Sequence, residues 1–507
     1  MGLFQKILVA NRGEIAVRVI RASREMGIPS VAIFSDVDRA ALHVRKADEA
    51  YHVGPATPSL SYLSIERIIQ TAKRCGADAI HPGYGFLSEN AVFAEACTAA
   101  GVKFIGPSAS AMKLMGSKVR ARQAMQAAGV PFVPGSARGL NLAAALETAG
   151  QIGYPVMLKA SAGGGGKGMR LVPGAAELPA AFERASSEAE RAFGDGELYL
   201  EKFIVNPRHI EIQVLADERE NCVYLGEREC SLQRRHQKVL EEAPSVAIGD
   251  ETRHRMGEVA VRVAKAAGYS NAGTVEFLMD SNGNFYFLEM NTRLQVEHPV
   301  TELVTGLDLV QLQIRIAAGE RLPFEQEDVR LRGHAIECRI YAEDPENNFF
   351  PSPGKITQLS TPSGPGIRED SGIYEGWQVP MDYDPLLSKL IAYAPNRERA
   401  IARMLRALEE YYVGGIKTNL SLFRRILSDR AFGEGRFSTA YLDNLLASPG
   451  AGAVNGDASI VALAAALFTA VQPAAANGIP PNGTGEPRPA ANGTWKRVAR
   501  QESLRTR

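Results

Sequence analysis

The chain has 507 residues, 45% hydrophobic and 22% charged, a soluble globular composition long enough for roughly three domains. Lys+Arg and Asp+Glu both number 57; zero net charge argues against nucleic-acid or membrane-surface binding, which draws on a one-signed excess. The longest apolar run, Ile460–Val471, is too short to cross a bilayer, no secretory signal is read at the start, and five cysteines without a C-x-x-C pair fit a reducing cytoplasm.

Taken in chain order, Lys6–Ala10 reads as a buried strand, Asn11–Glu14 as a turn, and Ile15–Met26 as a helix, with a second strand at Ser30–Phe34. Ala79–Ile80 and Lys103–Ile105 continue this βαβ pattern, which predicts a Rossmann-like parallel sheet over residues 1–116. A dinucleotide site with Asp36 on the ribose is the tempting reading, but the first turn is Ala-Asn-Arg-Gly-Glu, without a glycine platform for pyrophosphate. A second region spans 117–319. The polar stretch Gly319–Arg332 reads as a linker, and 334–446 as a mixed α+β region with a helix over Arg397–Tyr411. Residues 448–507, rich in Ala, Gly, Pro and Asn and closing on a basic segment, read as a flexible tail.

Three groups of residues carry chemistry. Lys159-Ala-Ser-Ala-Gly-Gly-Gly-Gly-Lys-Gly-Met-Arg170 lies between apolar strands; its exposed N–H groups can fold over phosphates, the plainer alternative being a flexible hairpin. It is not a Walker A loop, because no Ser or Thr follows Gly-Lys. Next, Gly273–Met279 and Asn284–Met290 form a hairpin, with Asn282-Gly283 favouring a two-residue type I′ turn. That register sets Glu276 opposite Glu289, with Asn291 and Arg293 on the same face. Like charges so placed repel, and two carboxylates with an amide oxygen suit Mg²⁺ carrying nucleotide phosphates. A solvated strand face is the alternative, which apolar Phe277, Leu278, Phe287 and Leu288 disfavour. Finally, Gln233, Arg234, Arg235, His236 and Lys238 put several donors within six residues: alone an ordinary charged face, beside the other two an anion clamp.

Together these motifs resemble the biotin carboxylase family of the ATP-grasp superfamily, over about residues 3–446. The resemblance rests on Ile7–Ile15, His81-Pro-Gly-Tyr-Gly-Phe-Leu-Ser-Glu-Asn90, the glycine loop, Gln233–Lys238, Glu289–Pro299 and Glu337–Pro345, six motifs in order. It implies a pre-ATP-grasp domain at 1–116, an ATP-grasp domain at 117–319 with a mobile lid over about 131–204, and a C-terminal domain at 334–446. The implied reaction phosphorylates bicarbonate with ATP to carboxyphosphate, and then carboxylates N1′ of biotin. By resemblance Lys118, Lys159, His209, Gln233, His236 and Leu278 contact ATP. Gly164, Gly165 and Gly166 cover its phosphates, and Glu201, Lys202, Phe203 and Ile204 hold the adenine. Glu276, Glu289 and Asn291 hold two Mg²⁺ ions, for which Mn²⁺ can substitute. Arg293, Gln295, Val296 and Lys238 seat bicarbonate, Glu297 is the general base, and Arg339 stabilises the biotin enolate.

No Met-Lys-Met biotinylation site occurs in the sequence, so biotin is expected on a separate biotin carboxyl carrier protein, with a carboxyltransferase as further partner and a homodimeric assembly. Arg339-Ile-Tyr-Ala-Glu-Asp-Pro345 is similar to acyl-CoA carboxylase α-type chains, which implies acetyl-CoA or propionyl-CoA as final acceptor. A pyruvate carboxylase role is the alternative. The basic tail is expected to dock a carboxylase partner. Another ATP-grasp ligase would lack His81–Asn90 and Arg293–Pro299, and a non-catalytic nucleotide-binding scaffold would have lost one of Glu276, Glu289, Arg293, Glu297 or Arg339.

Overall fold

Five short strands, β1 (Ile7–Val9), β2 (Ser30–Ser35), β3 (Glu49–Gly54), β4 (Ala79–His81) and β5 (Lys103–Phe104), form an all-parallel sheet in the order β3-β2-β1-β4-β5. β1, β2 and β4 are buried throughout, as expected of parallel strands covered on both faces. The helix α1 (Gly13–Glu25) follows β1. The turn between them is filled by the chain itself. Asn11 Nδ2 donates to the carbonyls of Pro82 and Tyr84, and Arg12 donates to both oxygens of Asp38. Asp36 lies 2.7 Å from His52 Nε2.

The computed structural model describes residues 3–136, 139–161, 169–235 and 237–447, all within one compact unit, Met1–Ala447. The tail, the glycines 163–166, Lys167 and His236 therefore lie outside the described residues, as does the side chain of Lys118, the first residue of the helix Lys118–Ala127.

After that helix comes a small three-stranded antiparallel sheet, β6 (Val156–Ala160), β7 (Arg170–Val172) and β8 (Leu198–Lys202), ordered β7-β6-β8. Its apolar face packs on the helices Leu142–Ile152 and Leu178–Phe193 through Ala145, Ala149, Ala181 and Ala185.

The principal sheet has eight strands. β9 (Arg208–Ala216), β10 (Cys222–Arg234), β11 (Gln237–Ala243), β12 (Asn271–Met279), β13 (Phe285–Asn291) and β14 (His334–Tyr341) run in the order β13-β12-β9-β10-β11-β14. The strands Leu386–Ala394 and Ile367–Ser371 complete it. β14 belongs to the third sequence region yet pairs with β11, Glu337 opposite Glu241, so one sheet runs on from the second region into the third. The helix Asp250–Ala266 buries Met256, Val259 and Val263 against Ile210, Ile212 and Val275. On the polar face the helix His298–Thr305 packs against β10, β11 and β14.

Candidate active site

The β12–β13 hairpin places Glu276 directly opposite Glu289, but by a different route from the two-residue turn. Asp280 pairs with Asn284, and Gly283 N–H donates to the Asp280 carbonyl with φ of +80° at Gly283, a three-residue loop with glycine in the left-handed position. Such a loop alone would offset the pair by one residue; a bulge between Glu276 and Phe277 restores it. The bulge also turns Leu288 out beside Glu289, 45% exposed, so the expected apolar enclosure on that side is replaced by solvent.

Lys238 is the hub. Its Nζ donates to Glu276 at 3.0 Å, Glu297 at 2.7 Å and Glu211 at 2.5 Å. It reaches them because β10 and β11 form a hairpin whose tip holds Arg235 at φ +50°, with Gln233 opposite Lys238. Gln233, Arg234, Gln237 and Lys238 thus lie on paired antiparallel strands and not on a helix. Gln233 Nε2 caps the Cys230 carbonyl at 2.9 Å, while Arg234 stacks on Phe349 at 3.9 Å and lies 3.4 Å from Glu343.

From Lys238 the hydrogen bonds run two ways. Toward β13, Asn291 Nδ2 and Gln295 Nε2 donate to Glu276 Oε1 at 2.9 and 3.3 Å. Arg293 donates to Asn291 Oδ1, Gln295 Oε1 and Glu89. Strand β13 ends at Asn291, so Arg293 sits in the turn, with Glu89 holding it and the Thr292 N–H and hydroxyl. Toward β14, Arg339 lies 2.9 Å from Glu297 and 2.5 Å from Glu241. His209 Nε2 lies 3.0 Å from Glu276, and Leu278 pairs with His209 in the register of β9 and β12. The Val296 carbonyl accepts from Lys389 at 2.8 Å.

Charge distributes unevenly over these groups. Burial disfavours the ionised Glu276 and Glu297, but Lys238 with His209, and Lys238 with Arg339 and Arg228, more than reverse it; Glu276 is held below and Glu297 well below the usual range. Burial likewise opposes the Lys238 ammonium, and Glu211, Glu297 and Glu276 raise it well above its ordinary value. Glu289 moves the other way, raised by burial and by Glu276 and Glu89. Among the described residues its carboxylate makes no hydrogen bond or ion pair. His209, Glu211 and Glu276 also converge, but Lys238 and Arg228 already pair with those two carboxylates. The unneutralised charge sits at Glu289 facing Glu276, and hard oxygen donors there fit Mg²⁺ or Mn²⁺. The Asn291 amide turns its nitrogen to Glu276 and its oxygen to Arg293, so it joins such a set only by rotating.

The proposed nucleotide residues form a second group. Glu201 on β8 accepts from Lys159 at 2.6 Å and Arg122 at 2.9 Å, and despite burial these cations hold it below its ordinary range. Lys202 Nζ donates to the Gly153 and Tyr154 carbonyls, while Phe203 and Ile204 follow the end of β8, Phe203 N–H donating to Pro155.

Several participants escape sequence reasoning: Glu211, Arg228, Glu89, Glu241, Arg122 and Lys389. Glu211 had a usable signal, since it follows His209 by two residues and so shares its face. The fully buried Arg228 donates to Glu211, Gln213, Thr274 and Thr301, contacts made by strand pairing and by the packing of the helix His298–Thr305, which spacing does not reveal.

Residues 3–112 match the family "Biotin carboxylase, N-terminal domain", 117–325 "Carbamoyl-phosphate synthase L chain, ATP binding domain" and 337–444 "Biotin carboxylase C-terminal domain". A biotin carboxylase of Nostoc sp. is 54% identical over 444 residues, covering 87% of this chain and 99% of the relative. A pyruvate carboxylase subunit of Methanothermobacter thermautotrophicus is also 54% identical, over 87% of this chain and 90% of its own. Among solved structures, the biotin carboxylase domain dimer of Hydrogenobacter thermophilus 2-oxoglutarate carboxylase, in complex with MgADP, ADP and bicarbonate, superposes with a TM-score of 0.80. It is 50% identical and covers 89% of this chain and 100% of that one. The chain belongs to the biotin carboxylase family.

Proposed function

We propose that this biotin carboxylase charges biotin on a separate carrier protein and serves a carboxyltransferase whose acceptor is an acyl-CoA. ATP-dependent carboxylation of biotin from bicarbonate is the reaction of the family, and one observation carries the assignment of roles. The residues proposed for bicarbonate, base and enolate lie on one unbroken chain of contacts: Arg293, Gln295, Glu276, Lys238, Glu297, Arg339.

Arg293, Gln295 and Lys238 supply donors for a bound anion, and Val296 belongs to the same loop. Glu297 is ionised between Lys238 and Arg339, ready to take the bicarbonate proton once an anion draws Lys238 away. Arg339 is the fixed cation for negative charge developing on the biotin ureido oxygen. We assign Lys159, Glu201 and His209 to the nucleotide, and their roles, like those of Lys118, Gly164–Gly166 and His236, are carried from the family motifs. Glu276 and Glu289, with Asn291 once its amide rotates, would hold Mg²⁺, which would supply charge neutralisation for the ATP phosphates.

The acyl-CoA reading is supported by Tyr341 in the Arg339–Pro345 motif. The Methanothermobacter relative favours a second reading, pyruvate. The dimeric Hydrogenobacter domain supports a homodimer, and five free cysteines, four of them buried, support a cytoplasmic setting. Among the described residues no helix is long and apolar enough to cross a membrane.

The test is bicarbonate-dependent ATP hydrolysis, expected to rise on adding biotin and to yield carboxybiotin. Glu297→Gln is expected to lower kcat by roughly 10²-fold or more, the weight of a general base, with the KM for ATP little changed. A raised ATP KM at normal kcat contradicts the role of Glu297. Labelled carboxylate appearing in a 2-oxo acid instead of an acyl-CoA overturns the acceptor and leaves the half-reaction standing.

A further inference from the structure

The motif Asn11-Arg-Gly-Glu14 takes no part in the chemistry above, yet Glu14 is buried at the head of α1. Its Oε1 lies 3.3 Å from Nζ of Lys389 and accepts the Tyr84 hydroxyl. Lys389, on the strand Leu386–Ala394, is fully buried. Its ammonium donates to the Val296 carbonyl at 2.8 Å and lies 3.9 Å from Asp370. Three motifs far apart in sequence, around Glu14, Tyr84 and Val296, thus meet at one cation.

A buried ammonium is costly unless its partners are fixed, so this one is a rigid anchor. The peptide it grips joins Val296 to Glu297, within the loop that also carries Arg293 and Gln295. Of the nucleotide residues, Lys159 and Glu201 lie on a separate sheet, β7-β6-β8.

We infer that Lys389 is a positioning residue for carboxylation: held by Glu14, it fixes the Val296 carbonyl and thereby sets the bicarbonate-seating loop and the Glu297 carboxylate. The inference rests on the reading of that loop given above.

The test is steady-state kinetics of bicarbonate-dependent ATP hydrolysis by the full chain. Lys389→Met alone strands the Glu14 carboxylate, so the variant is the pair Glu14→Gln with Lys389→Met. The pair is expected to raise the bicarbonate KM and lower kcat by about tenfold each, a misplacement effect, with the ATP KM within about twofold. Glu14→Gln alone, which keeps the ammonium but loosens it, should raise the bicarbonate KM about threefold, and it decides the matter if the pair does not fold. An unchanged bicarbonate KM, or an ATP KM rising in step with it, overturns the inference. Parent enzyme without bicarbonate dependence overturns the loop reading itself, an outcome separate from any difference among variants.

Discussion

Arg228 shows how much of the site rests on a residue that touches no proposed substrate position. Its guanidinium is fully buried and its donors are spread over Glu211, Gln213, Thr274 and Thr301. Glu211 in turn is one of the three acceptors of Lys238. Arg228→Met keeps the length but leaves Glu211 with the ammonium alone, and breaking one side of a buried pair costs about 3–5 kcal/mol. Urea unfolding should show a loss of that size, with Lys238 drawn to Glu211 and a raised bicarbonate KM. A loss below about 1 kcal/mol, the range of an exposed pair, would mean water replaces the guanidinium. At this scale the sequence was legible where residue type and period coincide, as at Glu276, Glu289 and Asn291. It was silent at Arg228 and Lys389, because a single basic residue within a strand has no periodic signature and its partners lie on strands, helices and loops far away in sequence.

The hairpin β12–β13 shows the same limit for an element. Strand identity and the facing of Glu276 and Glu289 follow from alternation, but alternation does not count loop residues. The three-residue loop and the bulge each shift register by one, and only their combination sets the two carboxylates opposite each other. Gly283, at φ +80° with open space around its Cα, pins that loop. Gly283→Ala meets no clash, so its cost is conformational alone, about 1 kcal/mol. Thermal melting should register that loss, and the ATP KM should stay within about twofold, since the bulge stands between the loop and Glu276. An ATP KM that moves with the substitution would show that the loop, not the bulge, governs the carboxylate pair. The clamp around Gln233–Lys238 was likewise legible as a cluster of donors and illegible as a pair of strands, because its composition matches an exposed helix equally well.

Across the whole molecule, buried titratable groups pull stability in opposite directions with pH. Burial drives His43 down to about 4 and His81 to about 3, so both stay neutral when folded. The unfolded chain, with histidine near 6.5, binds more protons than the native state between about pH 4 and 6.5. Each therefore contributes stability that is complete above 6.5 and lost as pH falls. Glu14 and Glu241 behave inversely: burial raises both to about 7, the native state holds the extra protons, and their contribution is lost as pH rises from about 4.5 toward 7. Among these four groups the slopes oppose each other between about pH 5 and 6.5. Removing one side exposes the other. His43, whose Nε2 faces the Ile33 carbonyl with Asp38 and Arg12 nearby, is separable because it is remote from the carboxylate chain of the site. The stability gap between the parent and His43→Gln should widen by about 2 kcal/mol from pH 5.0 to 6.5, at about 1.4 kcal/mol per pH unit for one proton. Urea midpoints at pH 5.0, 6.0 and 7.0 measure it. A gap that is constant with pH would mean that His43 is protonated alike in both states.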